Sequence, residues 1–178
     1  MTAVPDRHKN LGAKAQSARR SGKILISFSD KSVKVPQQTL KALVRFVTAR
    51  EGFSIGRIDL AIVAATEIAR HNRRFLNHAG ATDVISFDLS NSAVPGISAQ
   101  IIVCASVAAR QAKHHGLTKA QELMLYIIHG LLHVMGYDDL SVRDHAKMAS
   151  RQDELLKEFL ASSSRRRGER KTGALGVR

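Results

Sequence analysis

The chain has 178 residues, 44% of them hydrophobic, and a net charge of +13, which suits one soluble domain with a sizeable core. It contains no run of about 18 apolar residues and no apolar stretch behind the first charges, so neither a membrane span nor a secretory signal is expected. Its one cysteine, Cys104, excludes an internal disulfide, argues against a disulfide-linked partner and suits a reducing, cytoplasmic setting.

In chain order, residues 1–22 read as a basic disordered arm. Residues 1–23 carry six Lys/Arg against Asp6 alone, with too few large apolar residues to order themselves by burial. KILISFS (23–29) partly alternates and predicts a first strand. After Pro36, the spacing of Leu40, Leu43, Val44 and Val47 predicts a helix that Gly52 closes. IDLAIVAA (58–65) predicts a buried strand, and Thr66 a cap for the helix EIARHNRRFL. DVISFDL (83–89) and AQIIVCAS (99–106) predict two more strands around the turn-rich NSAVPG. SVAARQAKHHG predicts a helix ended by Gly116. Thr118 and Gln121 form a capping box for a long helix reaching about Gly136. Ser141 and Asp144 start a last helix, expected to end near Ala161. Residues 162–178 again carry six Lys/Arg against one acid, Glu169, and read as a second basic disordered tail. The domain proper is 23–161. Interleaved strands and helices predict an α/β or α+β sheet with helices on its faces. Basic arms on a nearly neutral body point to a polyanionic partner, above all nucleic acid, with solubility as the plainer alternative.

The stretch HGLLHVMGYDD (129–139) carries the chemistry. Residues four apart on a helix share a face, so His129 and His133 can direct two ring nitrogens at one ion. Gly136 lets the chain leave the helix and return, and Asp139 can then offer a carboxylate oxygen. Two imidazoles and a carboxylate with a fourth position open form a catalytic zinc pattern. The spacing is shared with metzincin proteases, but those need Glu directly after the first His as general base. Here that residue is Gly130, whose missing side chain implies a close helix contact or clearance for substrate. Single histidines on apolar faces are usually structural. His71, His78 and His145 stand alone and are read as surface residues or as supports behind the ligands rather than as ligands, and His114 and His115 as surface residues at a helix end. Cys104 is expected to pack, and Tyr137 to pack or to orient a ligand. A general base is not evident, with Asp83 and Asp138 as the candidates.

These residues resemble the YbeY endoribonucleases, the rRNA maturation factor family, whose signature is written H-G-x-L-H-L-x-G-Y-D-H. ATDVISF (81–87) is similar to the family's P-T-D-V-L-S-F segment, and Asn72 and Met148 match further positions. The resemblance spans about residues 24–160. It implies an α+β fold, a small mixed four-stranded sheet with helices packed around it and a metal site at the end of a long helix. It implies metal-dependent cleavage of single-stranded RNA, with ribosomal RNA or a ribosomal subunit as partner, and a role in rRNA maturation and ribosome quality control. The implied metal is zinc or another divalent transition metal, one per chain, held by His129, His133 and the residue at 139. An RNA-binding assembly factor with a mainly structural metal is the alternative. The chain departs from the family at Asp139, where His is usual, at Leu76, where an arginine facing RNA is usual, and at Ala99-Gln100-Ile101, which lacks an acid. Arg73 or Arg74, within a helical turn of Leu76, could supply the missing cation.

Overall fold

The computed structural model of the protein describes residues 22–76 and 79–173. In order these form β1 (Lys23–Phe28), α1 (Gln37–Arg50), β2 (Ile55–Val63), α2 (Ala65–Leu76), β3 (Val84–Asp88), β4 (Ile97–Cys104), α3 (Ala105–Gln111), α4 (Lys119–Val134) and α5 (Val142–Gly173). The strands make one sheet of order β1-β2-β4-β3. β1, β2 and β4 run parallel, and β3 is antiparallel on β4. The fold is therefore α+β with a mixed four-stranded sheet.

β2 and β4 sit inside the sheet and carry its heaviest apolar load. Leu60 pairs with Ile101 and Ile62 with Val103, all nearly inaccessible to solvent. Each such side chain contributes about 1.5–3 kcal/mol of burial. α4 packs against α1, α3, α5, β3 and β4. Its Leu123, Ile127, Ile128, Leu131 and Leu132 are fully buried, so the helix that carries the histidines is anchored in the core.

Gly130 decides how close α4 lies to the sheet. A Cβ there would meet Ile101 Cγ2 and Val84 Cγ2, each at 3.0 Å. Of the two reasons expected for a glycine here, the close helix contact holds: its missing side chain faces β3 and β4.

Several boundaries differ from expectation. β2 and β4 begin at Ile55 and Ile97, earlier than their apolar runs, because the two strands pair through a bulge between Ile55 and Arg57. α2 starts at Ala65, its first turn closed by Glu67 and Ile68 N–H groups on the Ala64 carbonyl, so Thr66 lies inside the helix and is no cap. The last helix continues past Ala161 to Gly173, beyond the end expected for it. Nothing after Ala161 breaks a helix until Gly168. Ser162 and Ser164 hydrogen-bond back to the Phe159 and Leu160 carbonyls, and Arg, Lys and Glu are good helix formers without burial. The arm at 1–22 lies outside the described residues but for Gly22. Among the described residues no helix is long and apolar enough to cross a membrane.

Candidate metal centre

The capping box is present: Thr118 Oγ1 accepts from the Gln121 N–H, and Gln121 Oε1 accepts from the Thr118 N–H. It fixes the start of α4, and helical spacing then sets His129 and His133 on one face. Their ring centroids are 4.6 Å apart and nearly perpendicular. The outer nitrogens are both engaged. His129 Nδ1 lies 3.0 Å from Gln152 Oε1, and His133 Nδ1 lies 3.2 Å from the Tyr137 carbonyl oxygen. Both partners are acceptors, so each neutral ring carries its proton on Nδ1 and leaves Nε2 as a lone pair. Those two Nε2 atoms face each other at 3.0 Å. Two lone pairs at that distance call for a cation between them.

The third side comes from the helix exit. Gly136 has φ of 92°, which lets its N–H reach the His133 carbonyl and the Tyr137 N–H reach the Leu132 carbonyl, the pattern of a Schellman C-cap. The Tyr137 hydroxyl then donates to Glu51 Oε2 at 2.8 Å. Glu51 Oε1 also takes Arg151 Nε and Nη2 at 2.8 Å. Burial and the Glu51 carboxylate push the Tyr137 pKa up, so this hydroxyl stays a donor. α1, α5 and the loop after α4 are thus buckled together. Asp138 Oδ1 accepts from the N–H groups of Asp139 and Leu140 and turns the loop, so that Asp139 Oδ2 comes to 3.7 Å from His133 Nε2. The ligand atoms of His129, His133 and Asp139 all lie within 4.8 Å of one another. Ligands of a tetrahedral zinc sit about 3.3 Å apart, given bonds of about 2.0–2.1 Å. These residues fit a divalent ion, and they are the one such group found among the described residues.

His129 also borders a pocket of about 450 Å³, with Thr82, Asp83, Gln111, His115, Tyr126 and Gln152 among its walls. Asp83 thus lies on the pocket; its Oδ1 accepts from Thr82 Oγ1. Arg73 and Arg74 are exposed on α2 and do not line this pocket; Arg74 sits over the Phe75 ring. His145 is exposed and outside the cluster, and His78 lies outside the described residues. Cys104 is fully buried, as expected. Asn72 is buried and donates to the Gly80 carbonyl, tying α2 to the segment before Asp83. His115 is exposed, as expected, and its Nδ1 pairs with the buried Glu122.

Comparison with known proteins gives the family. The family model described as endoribonuclease YbeY matches residues 24–160. The chain belongs to the YbeY family. Curated relatives called endoribonuclease YbeY include one from Macrococcus caseolyticus, 32% identical over 76% of this chain and 96% of its own. Another, from Thermobifida fusca, is 31% identical over 72% and 88%. A solution structure of a Thermotoga maritima protein matches with TM-score 0.54 and 26% identity, covering 82% of this chain and 95% of that one.

Three residues around the YbeY-type motif escaped the sequence reading: Glu51, Gln152 and Glu122, the partner of His115. Two of them left a trace. Gln152 falls on the inward stripe of α5 with Met148, Leu155, Leu156 and Phe159, and Glu122 stands directly ahead of the apolar run 123–128, on the buried part of α4. A polar residue on a buried stripe is the signal that finds such partners.

Proposed function

We propose that this chain is a metal-dependent endoribonuclease that cleaves single-stranded RNA in ribosomal RNA maturation and ribosome quality control, in the cytoplasm. The observation that carries the reading is the pair of Nε2 lone pairs facing each other at 3.0 Å beside Asp139, in a chain of the YbeY family. His129, His133 and Asp139 hold the ion, which is zinc or another divalent transition metal. When bound, such an ion supplies Lewis acidity toward a phosphate oxygen and toward water. The chain's own residues do the rest. Gln152 and the Tyr137 carbonyl keep the imidazoles in the tautomer that ligates. The Glu51–Tyr137–Arg151 buckle holds the loop that carries Asp139. The pocket at His129 receives the RNA backbone, with Asp83 on its wall. Arg73 and Arg74 meet RNA outside the pocket. A pocket beside the ion favours an enzyme over a structural metal, which would be closed by a fourth protein ligand. The test is incubation of metal-loaded protein with single-stranded and duplex RNA of one sequence. Cleavage confined to the single strand is expected; an intact single strand rejects the reading.

The third ligand is separable from its neighbour. Asp139→Ala is expected to weaken metal affinity by on the order of 100-fold, because it removes a direct ligand. Asp138→Ala, which loses only the loop's hydrogen bonds, should cost about tenfold or less. Chelator competition on both variants measures this, and a loss confined to Asp138→Ala would show that the wrong acid is named.

The basic ends supply the partner's electrostatics. Removing residues 1–22 and 162–178 is expected to lower RNA affinity and flatten its dependence on salt, because fewer counterions are released on binding. An unchanged slope of log affinity against log salt would exclude both ends from the RNA contact.

A further inference from the structure

Along α4, Glu122, Tyr126, His129 and His133 follow at helical spacing and form a polar stripe on a largely apolar helix. The two histidines belong to the metal centre. Glu122 and Tyr126 have no part in it. Glu122 is fully buried. Its Oε1 lies 2.8 Å from His115 Nδ1, and its Oε2 has no hydrogen-bond partner. A buried carboxylate with one open oxygen is costly unless its charge is used or paired. Its partner is not buried: the His115 side chain is 51% exposed, and it borders the pocket that His129 also borders.

A plain structural tie does not explain this pair. The turn from α3 to α4 is already closed by backbone hydrogen bonds from His115, Gly116 and Leu117 to Gln111, Lys113 and Ala112, and by the capping box at Thr118. A tie would also gain from a covered imidazole, whereas this one faces a cavity of about 450 Å³, inside the size range of small-ligand sites. With Nδ1–H donated to Glu122, His115 Nε2 presents a lone pair. That is the arrangement in which a carboxylate orients an imidazole to take a proton.

We propose that His115, oriented by Glu122, is the general base for RNA cleavage in this pocket; this rests on the endoribonuclease reading above. Water in the pocket gives a proton to His115 Nε2 as its oxygen bonds to phosphorus. The bond from phosphorus to the leaving ribose oxygen breaks, and that oxygen takes a proton from solvent. The imidazolium then returns its proton to solvent, leaving a phosphate monoester and a free hydroxyl. The other titratable groups on the pocket are Asp83, ahead of β3, and Tyr126 and His129 on α4, with Glu122 behind the ring; α3 and α5 contribute the neutral Gln111 and Gln152. Burial and the Glu122 carboxylate push the Tyr126 pKa far up, so Tyr126 stays a donor and does not compete as base.

The experiment follows single-turnover cleavage of a single-stranded RNA by metal-loaded full-length protein across pH, for the wild type, His115→Ala, His115→Gln and Glu122→Gln. His115→Ala should slow cleavage about 10²- to 10⁴-fold, with metal content and RNA affinity unchanged. The fall in rate toward acid pH should flatten, and added imidazole should restore part of the rate. His115→Gln keeps a hydrogen-bond donor for Glu122 but no base, so it should stay slow, whereas a structural tie would be restored by Gln. Glu122→Gln should lie between, without response to imidazole. The proposal is overturned if His115→Ala stays within about threefold of wild type, if His115→Gln restores the rate, or if the slow variant keeps the wild-type pH profile and ignores imidazole. A wild type that binds metal yet leaves RNA intact removes the endoribonuclease reading itself, whereas cleavage by the wild type with a fast His115→Ala removes only the base.

Discussion

His129→Ala is expected to strip the bound metal and to lower RNA cleavage by on the order of 10³-fold or more, while the protein stays folded. The size follows from geometry. His129 Nε2 faces His133 Nε2 at 3.0 Å, and removing it leaves one imidazole and one carboxylate, too few to hold a catalytic ion in a defined place. Folding should change little. The ring is half-buried rather than buried, and its one protein hydrogen bond, to Gln152, contributes about 1 kcal/mol. His133→Ala should behave alike, since its ring is held by the Tyr137 carbonyl. Elemental analysis, cleavage of single-stranded RNA and thermal melting read the three effects apart. Stoichiometric metal and full rate in either variant would mean that the ligand set is misassigned. Unfolding of the variant in metal-free buffer would mean that the histidines stabilise the core.

Gly130→Glu should have the largest effect on stability. From the sequence, this substitution looks like the restoration of a protease-type base beside the first histidine. The structure turns that expectation around. The new side chain would point at Val84 and Ile101, with its Cβ already at 3.0 Å from both, and away from the ion. Overpacking costs about 1–3 kcal/mol, and an unpaired carboxylate in the core adds several more. Against a typical total of about 5–15 kcal/mol, most of the stability is lost. Gly130→Ala is the control: its tight contact is offset by about 1 kcal/mol of helix propensity. Denaturant titration gives the answer. A Gly130→Glu midpoint equal to wild type would show that the helix can move away from β3 and β4.

The candidate metal centre and the proposed His115–Glu122 base share a design. Both are imidazoles set by acceptors on neighbouring elements: Gln152 on α5, a carbonyl in the loop after α4, and Glu122 on α4 itself. The ring nitrogens left free open toward the ion and, for His115, the pocket. Nothing in the local sequence of His115 distinguishes it from His114, and both are exposed. What separates them is the face of the α3–α4 turn on which each falls.

Short-range patterns in the sequence determined a good deal by themselves. The spacing of His129 and His133 on a helix, the Thr118–Gln121 box that starts it and the glycine that ends it are local properties, because helix geometry depends only on neighbours within a few residues. The four strands were legible for the same reason, but they left α/β and α+β both open, and only the family resemblance implied α+β. The order β1-β2-β4-β3 was not legible, since pairing joins segments whose separation no period encodes. Nor was the direction in which Gly130 faces, or the reach of Glu51 to Tyr137 across 86 residues. α5 outran its expected end because the run of Ser and Arg after Ala161 leaves no apolar period to read, while Arg, Lys and Glu still favour helix. The partners of the histidines were decided only by tertiary structure, because a hydrogen bond between distant elements exists only after the core has set their distance and rotation.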